Sequence, residues 1–177
     1  MPTTPNHRPA LRFAPELLLR AQDVRVVFLD VDGVLTDGGL LYSEAGETLK
    51  RFHTLDGHGL KLLQRAGITP AIITGRDSAP LRTRLQGLGI AHAVFGTENK
   101  LPAAEQLLAE LNLGWHQAAA MGDDWPDLPV LAHTAFATAP PHAHAPRTRS
   151  SQRAHGTAAL TGSQHQRGPT RTEGATT

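Results

Sequence analysis

The chain has 177 residues, no cysteine and a formal net charge of +1. That length can bury a core without crosslinks, and the composition excludes a disulfide framework, a thiolate nucleophile and a thiolate metal site. The charge is unevenly divided: residues 138–177 hold five Arg and one Glu, leaving residues 1–137 at −3, so the body lacks a basic footprint for nucleic acid.

Residues 1–23 form an N-terminal segment with no apolar run of signal-peptide length, and no stretch of the chain approaches a membrane span. A cytoplasmic protein with neither a nucleic-acid nor a membrane partner is therefore expected. From 24 to 139 the chain alternates between two patterns and is expected to form one domain. VRVVFL (24–29), TPAIIT (69–74), AHAVFG (91–96), QAAAMG (117–122) and TAFATA (134–139) have the short apolar or β-branched character of buried strands. Between them, GLKLLQRAG has helical spacing through Leu60 and Leu63 and a stop at Gly67, and Leu81, Leu85 and Leu88 recur at i, i+4 and i+7. In the next segment Ala104, Leu107, Leu108 and Leu111 share a face, with Asn99 available as a cap and Pro102 in the first turn. Asp56 is a candidate cap for the first of these helices. The alternation predicts an α/β fold, a Rossmann-like parallel sheet with helices on both faces.

Residues 38–52, GGLLYSEAGETLKRF, interrupt the alternation. Turn residues Ser43 to Gly46 lie between two apolar arms, which predicts a β-hairpin inserted between the first strand and the first helix. Beyond Ala139 the only large aliphatic residue is Leu160. Such a composition buries too little apolar area to offset its ordering entropy, so 140–177 is expected to be a disordered tail, with His142 and His144 part of its composition and not of a site.

In open parallel sheets the working site lies outside the carboxyl ends of the strands. Asp30 and Asp32 follow the first strand, Thr74, Gly75 and Arg76 the second, Asn99 and Lys100 lie beyond the third, and Asp123, Asp124 and Asp127 follow the fourth. Any one of these could be a helix cap or a solvated loop charge, but four strand ends deliver them to one edge. Converging aspartates repel one another, and a hard, oxygen-seeking ion such as Mg²⁺ resolves that conflict while leaving room for a substrate phosphate. Lys100 and Thr74 suit the oxygens of a phosphoryl group, whose transfer is catalysed mainly by positioning and charge neutralisation. Without cysteine, a carboxylate is the available strong nucleophile, and a second one two residues on suits general acid and then general base work. Arg76 could meet a substrate carboxylate or pair with a nearby acid.

DVDGVLTD, IITGR (72–76), Lys100 and GDDWPD (122–127) resemble, in order and spacing, the four motifs of the haloacid dehalogenase superfamily of aspartate-nucleophile phosphatases. The resemblance implies Asp30 as nucleophile, Asp32 as acid and base, and Thr74 and Lys100 on the phosphoryl group. It further implies Mg²⁺ on the carboxylates of Asp30 and Asp123 and the backbone carbonyl of Asp32. Asp127 would support that ligand set, with Asp124 further out. DVDGVLTDG, the hairpin, KRFHTLDGHGLKLL and AIITGR together resemble the 3-deoxy-D-manno-octulosonate 8-phosphate phosphatases, which act in the cytoplasmic synthesis of a lipopolysaccharide sugar acid. That resemblance implies a small phosphorylated sugar acid as substrate and no large cap domain. It also implies a homotetramer in which the hairpins form a central barrel. Relatives continue into an amphipathic C-terminal helix that 140–177 does not match. Two alternatives stand beside this reading: a phosphatase of nine-carbon, sialic-acid-like phosphates, and a non-catalytic binding module on the same fold.

Overall fold

A computed structural model of the chain describes residues 15–144. Five parallel strands make one sheet: β1 (Val26–Leu29), β4 (Thr69–Ile73), β5 (His92–Val94), β6 (Ala118–Met121) and β7 (Phe136–Thr138), in the order β5-β4-β1-β6-β7. β1 is central, pairing Val26 with Thr69 on one side and with Ala118 on the other. The connections run outward in opposite directions from β1, so the switch in strand order opens a crevice at the carboxyl ends of β1 and β6. β2 (Leu41–Ser43) and β3 (Gly46–Leu49) form the separate antiparallel hairpin.

Helices cover both faces, as the alternation predicts. The sheet residues Val26, Phe28, Ala71, Ile73, Ala118 and Ala120 pack with Leu107 and Leu108 of α4 (Lys100–Leu111) and with Val130 and Leu131 of α5 (Leu128–His133). On the other face Leu29, Ile72 and Met121 pack with Leu60 of α2 (Thr54–Arg65) and with Leu81, Leu85 and Leu88 of α3 (Ala79–Leu88). Period-2 alternation along β1 thus feeds two cores at once.

The helix ends differ in detail from the sequence reading. α2 begins five residues before Gly59, because His53 is its N-cap: the Nδ1 of His53 accepts from the Leu55 N–H at 3.1 Å. Asp56 is therefore not the cap; it lies within the first turn, buried, with Oδ1 lacking a hydrogen-bond partner. Asn99 holds the N-cap position of α4, but its side chain makes no capping bond. Two short helices carried too little periodicity to be read: α1 (Pro15–Ala21), which buries Leu17, and α5, six residues with a proline in its first turn.

Among the described residues, an apolar groove with a volume of about 160 Å³ runs along the α2 side of β1, β6 and β7, lined by Val27, Leu63, Ile68, Met121 and Phe136 among others. The expectations for 145–177, like those for residues 1–14, lie outside the described residues. The segment from Pro140 to His144 is described, and it turns back over the carboxyl edge of the sheet, where the His144 N–H donates to the Asp123 carbonyl at 2.8 Å.

Candidate active site

Asp30 is the first residue past β1, held in line by its N–H, which donates to the Met121 carbonyl at 3.1 Å. Opposite it, Lys100 opens α4 and is buried. Its Nζ donates to Asp30 Oδ1 and to Asp127 Oδ1, each at 2.7 Å. Asp127 is fixed from its other side: Oδ2 accepts from the backbone N–H groups of Asp123 (3.0 Å) and Asp124 (3.2 Å). Gly122 makes this fold-back possible, since a Cβ there would lie 2.3 Å from the Asp127 Cβ.

Carboxylate oxygens of Asp30, Asp123 and Asp127 lie within 4.8 Å of one another, and all three residues are buried. Asp123 Oδ1 is buried without a hydrogen-bond partner, and its carboxylate rests on bare backbone at Gly33, whose φ is +91°. A Cβ at Gly33 would lie 2.0 Å from Asp123 Oδ2. Burial pushes the Asp30 carboxyl up to about 6; Lys100 opposes that rise and the charge of Asp127 adds to it. Burial also raises Asp123, with Asp127 and Asp124 adding to the rise, while His142 and Lys100 oppose it. Burial disfavours the Lys100 charge as well, yet the charges of Asp30 and Asp127 and their hydrogen bonds keep its pKa above the ordinary value. Crowded carboxylates with one amine and one orphaned oxygen form a donor set that a hard divalent cation fits.

The remaining predicted residues line the same edge. Thr74 follows β4 and is buried; its hydroxyl accepts from the Arg76 N–H at 3.2 Å, and its carbonyl accepts from the Thr97 N–H at 3.1 Å. At Gly75 a Cβ would lie 2.2 Å from Glu98 Oε1, the end of an exposed side chain that would have to swing aside. Asp124 is exposed and its Oδ1 accepts from the Trp125 N–H at 2.7 Å, capping the turn that presents Asp127.

Asp32 stands apart from the Lys100 cluster. Its Oδ1 accepts from Lys50 Nζ, and Oδ2 lies 3.6 Å from Arg76 Nε. Arg76 in turn donates through Nη1 to the Tyr42 hydroxyl at 3.2 Å. Three residues that the motif pattern missed therefore reach the site: Tyr42, Lys50 and, through Lys50, Glu47. His142 is a fourth, with Nε2 2.7 Å from the Gly33 carbonyl, so assigning it to tail composition overlooked a contact at the site's rim. No local spacing marks any of the four, because only the folded hairpin and the turn after β7 bring them in.

An aspartate past the central strand, a buried lysine across it and a cluster of buried carboxylates fit the haloacid dehalogenase superfamily of phosphatases. No family model matches the chain, but individual proteins do. It is 40% identical over 131 residues to the 3-deoxy-D-manno-octulosonate 8-phosphate phosphatase KdsC of Yersinia pestis, covering 74% of this chain and 70% of that one. The Haemophilus influenzae KdsC is 43% identical over 122 residues, covering 68% of each chain. A crystal structure of the Moraxella catarrhalis phosphatase in complex with magnesium, phosphate and KDO superposes with a TM-score of 0.70 at 38% identity, covering 72% of this chain and 74% of that one. The chain belongs to the 3-deoxy-D-manno-octulosonate 8-phosphate phosphatase family.

Proposed function

We infer that this protein is a Mg²⁺-dependent phosphatase that hydrolyses 3-deoxy-D-manno-octulosonate 8-phosphate to the free sugar acid and phosphate, within lipopolysaccharide biosynthesis. The observation that carries the reading is Lys100 Nζ bridging Asp30 and Asp127 at 2.7 Å each, beside Asp123. That arrangement presents one carboxylate for attack and reserves others for a cation.

Asp30 attacks the phosphorus and becomes an acyl phosphate, while the sugar alkoxide leaves with the proton of Asp32. Asp32 then takes a proton from water, which attacks the phosphorus, releases phosphate and restores Asp30. Lys100 fixes the Asp30 carboxylate through Oδ1 and offsets its charge. The Thr74 hydroxyl, the backbone at Gly75 and Lys100 hold the phosphoryl oxygens, and Arg76 faces the sugar acid. Asp30, Asp123 and the backbone carbonyl of Asp32 would hold Mg²⁺, which would supply charge neutralisation on the phosphoryl group. Asp127 steadies that set through the Asp123 N–H and Lys100, and Asp124 holds the turn.

The catalytic domain is residues 24–139, without a cap domain. Enclosure of the substrate falls to a homotetramer joined through the hairpin, a reading supported by the exposure of Leu41, Tyr42 and Leu49 on one small element. The reaction belongs in the cytoplasm, where a soluble sugar phosphate is available; no helix among the described residues is long and apolar enough to cross a membrane. Phosphate release from a panel of phosphorylated eight- and nine-carbon sugar acids, with and without Mg²⁺, tests the reading. Selective, Mg²⁺-dependent release from the eight-carbon acid is expected, and it should be abolished in Asp30→Asn. Full activity in that variant would contradict the mechanism.

A further inference from the structure

Lys50 lies just past β3, on a hairpin whose neighbouring positions Thr48 and Leu49 are exposed, yet its own side chain is only 1% accessible. It points into the site and is held there by two carboxylates. Asp32 Oδ1 accepts from its Nζ, and Glu47 Oε1, on the same strand, lies 3.0 Å away as an ion pair. The opposite strand of the hairpin grips the other half of the same arrangement, since the Tyr42 hydroxyl accepts from Arg76, whose Nε faces Asp32 Oδ2. The hairpin therefore bears on one carboxylate from two sides, directly through Lys50 and indirectly through Tyr42 on Arg76, which follows β4 and faces Asp32 Oδ2. Asp32 has no hydrogen bond to Lys100 and is separate from the buried acidic cluster.

We propose that Lys50 is a positioning residue for the reaction: clamped by Glu47, it fixes Asp32 through Oδ1 so that Oδ2 is the oxygen that gives and takes the proton. The proposal rests on the phosphatase reading above and gives the hairpin a task inside its own subunit, in addition to assembly. A flexible ammonium on a four-carbon stem holds a carboxylate in one orientation only when it is itself tied down, and Glu47 and burial do this. The proton balance is unchanged: Asp32 donates its proton to the departing alkoxide and recovers one from the attacking water.

The leaving group separates this role from a general structural one. An alkyl phosphate needs the proton in the first step, whereas p-nitrophenolate is weakly basic and departs without it; both substrates need Asp32 in the second step. With the full-length protein and Mg²⁺, Lys50→Met should lower kcat on the sugar-acid phosphate by about tenfold or more, with KM within about twofold. On p-nitrophenyl phosphate it should still release a burst of one equivalent of p-nitrophenolate at nearly the wild-type rate, followed by slow turnover. Lys50→Arg should recover most of kcat, and Glu47→Gln should show the same pattern at smaller size; the same two variants decide the matter if Lys50→Met fails to fold. An unchanged kcat, a change confined to KM, or loss of the burst together with turnover would each overturn the assignment. A wild-type protein inactive on every phosphate would overturn the underlying phosphatase reading, a distinct result.

Discussion

Lys100 is a buried ammonium shared between Asp30 and Asp127, so removing it would strand two carboxylates away from water. Breaking a buried ion pair from one side costs about 3–5 kcal/mol, much of it the penalty on the partner left behind. Lys100→Met is accordingly expected to lose phosphatase activity and to unfold at a lower denaturant concentration, with the slope of the transition unchanged. An unaltered midpoint would mean that the two carboxylates find other partners. At this scale Asp30, Asp32, Thr74, Lys100, Asp123 and Asp127 were legible because each sits directly past a strand or at the head of a helix, where local sequence fixes position. Lys50 and Tyr42 were not, since their contact with Asp32 and Arg76 depends on how the hairpin folds back over the sheet. Of the two possibilities left open for Arg76, its surroundings show one: it faces an acid, Asp32.

Among the elements, the loop after β1 depends most on one glycine. Gly33 combines φ +91° with a Cβ position 2.0 Å from Asp123 Oδ2. Gly33→Ala should therefore cost about 1–3 kcal/mol in backbone strain. It should also weaken Mg²⁺ binding by roughly tenfold, measured by calorimetric titration, because Asp123 must move; equal affinity would show that the loop relaxes freely. The hairpin makes a separate prediction. Leu49 is 64% exposed in the isolated subunit, and if the hairpin is the assembly surface, Leu49→Glu should shift the protein to smaller species in sedimentation velocity. The hairpin itself was readable from its turn residues, and the long helices from their leucine spacing. Helix α5 was not, because six residues led by Leu128 and Pro129 carry less than two turns of periodicity.

For the molecule as a whole, folding and cation binding are linked through the acidic cluster. The metal-free Asp30 titrates at about 6, above its ordinary value of 3.8, so the folded state binds its proton more tightly than the unfolded chain does. That contribution to stability is fully present below the unfolded value and is lost as pH rises through about 6. Mg²⁺ needs the ionised carboxylates, so its stabilisation follows the opposite course. The rise in Tm on adding saturating Mg²⁺ should therefore be larger at about pH 8 than at about pH 5; an equal rise at both would separate the cation from Asp30. The parallel sheet and its two helical layers followed from the alternation of patterns. The strand order β5-β4-β1-β6-β7, which puts Asp30 and Asp123 just past the ends of adjacent strands, comes from long-range pairing that no local window contains.

The central claim is that Asp30 carries the phosphoryl group. Asp32→Asn keeps the nucleophile and removes the residue that activates water, so with Mg²⁺ and p-nitrophenyl phosphate the covalent form should accumulate. Borohydride reduction of that quenched sample, followed by peptide mapping across 26–36 and 118–128, is predicted to convert position 30 to homoserine and to leave positions 123 and 127 intact. Reduction at Asp123 or Asp127, or no acyl phosphate anywhere in a sample that has released p-nitrophenolate, would contradict the account.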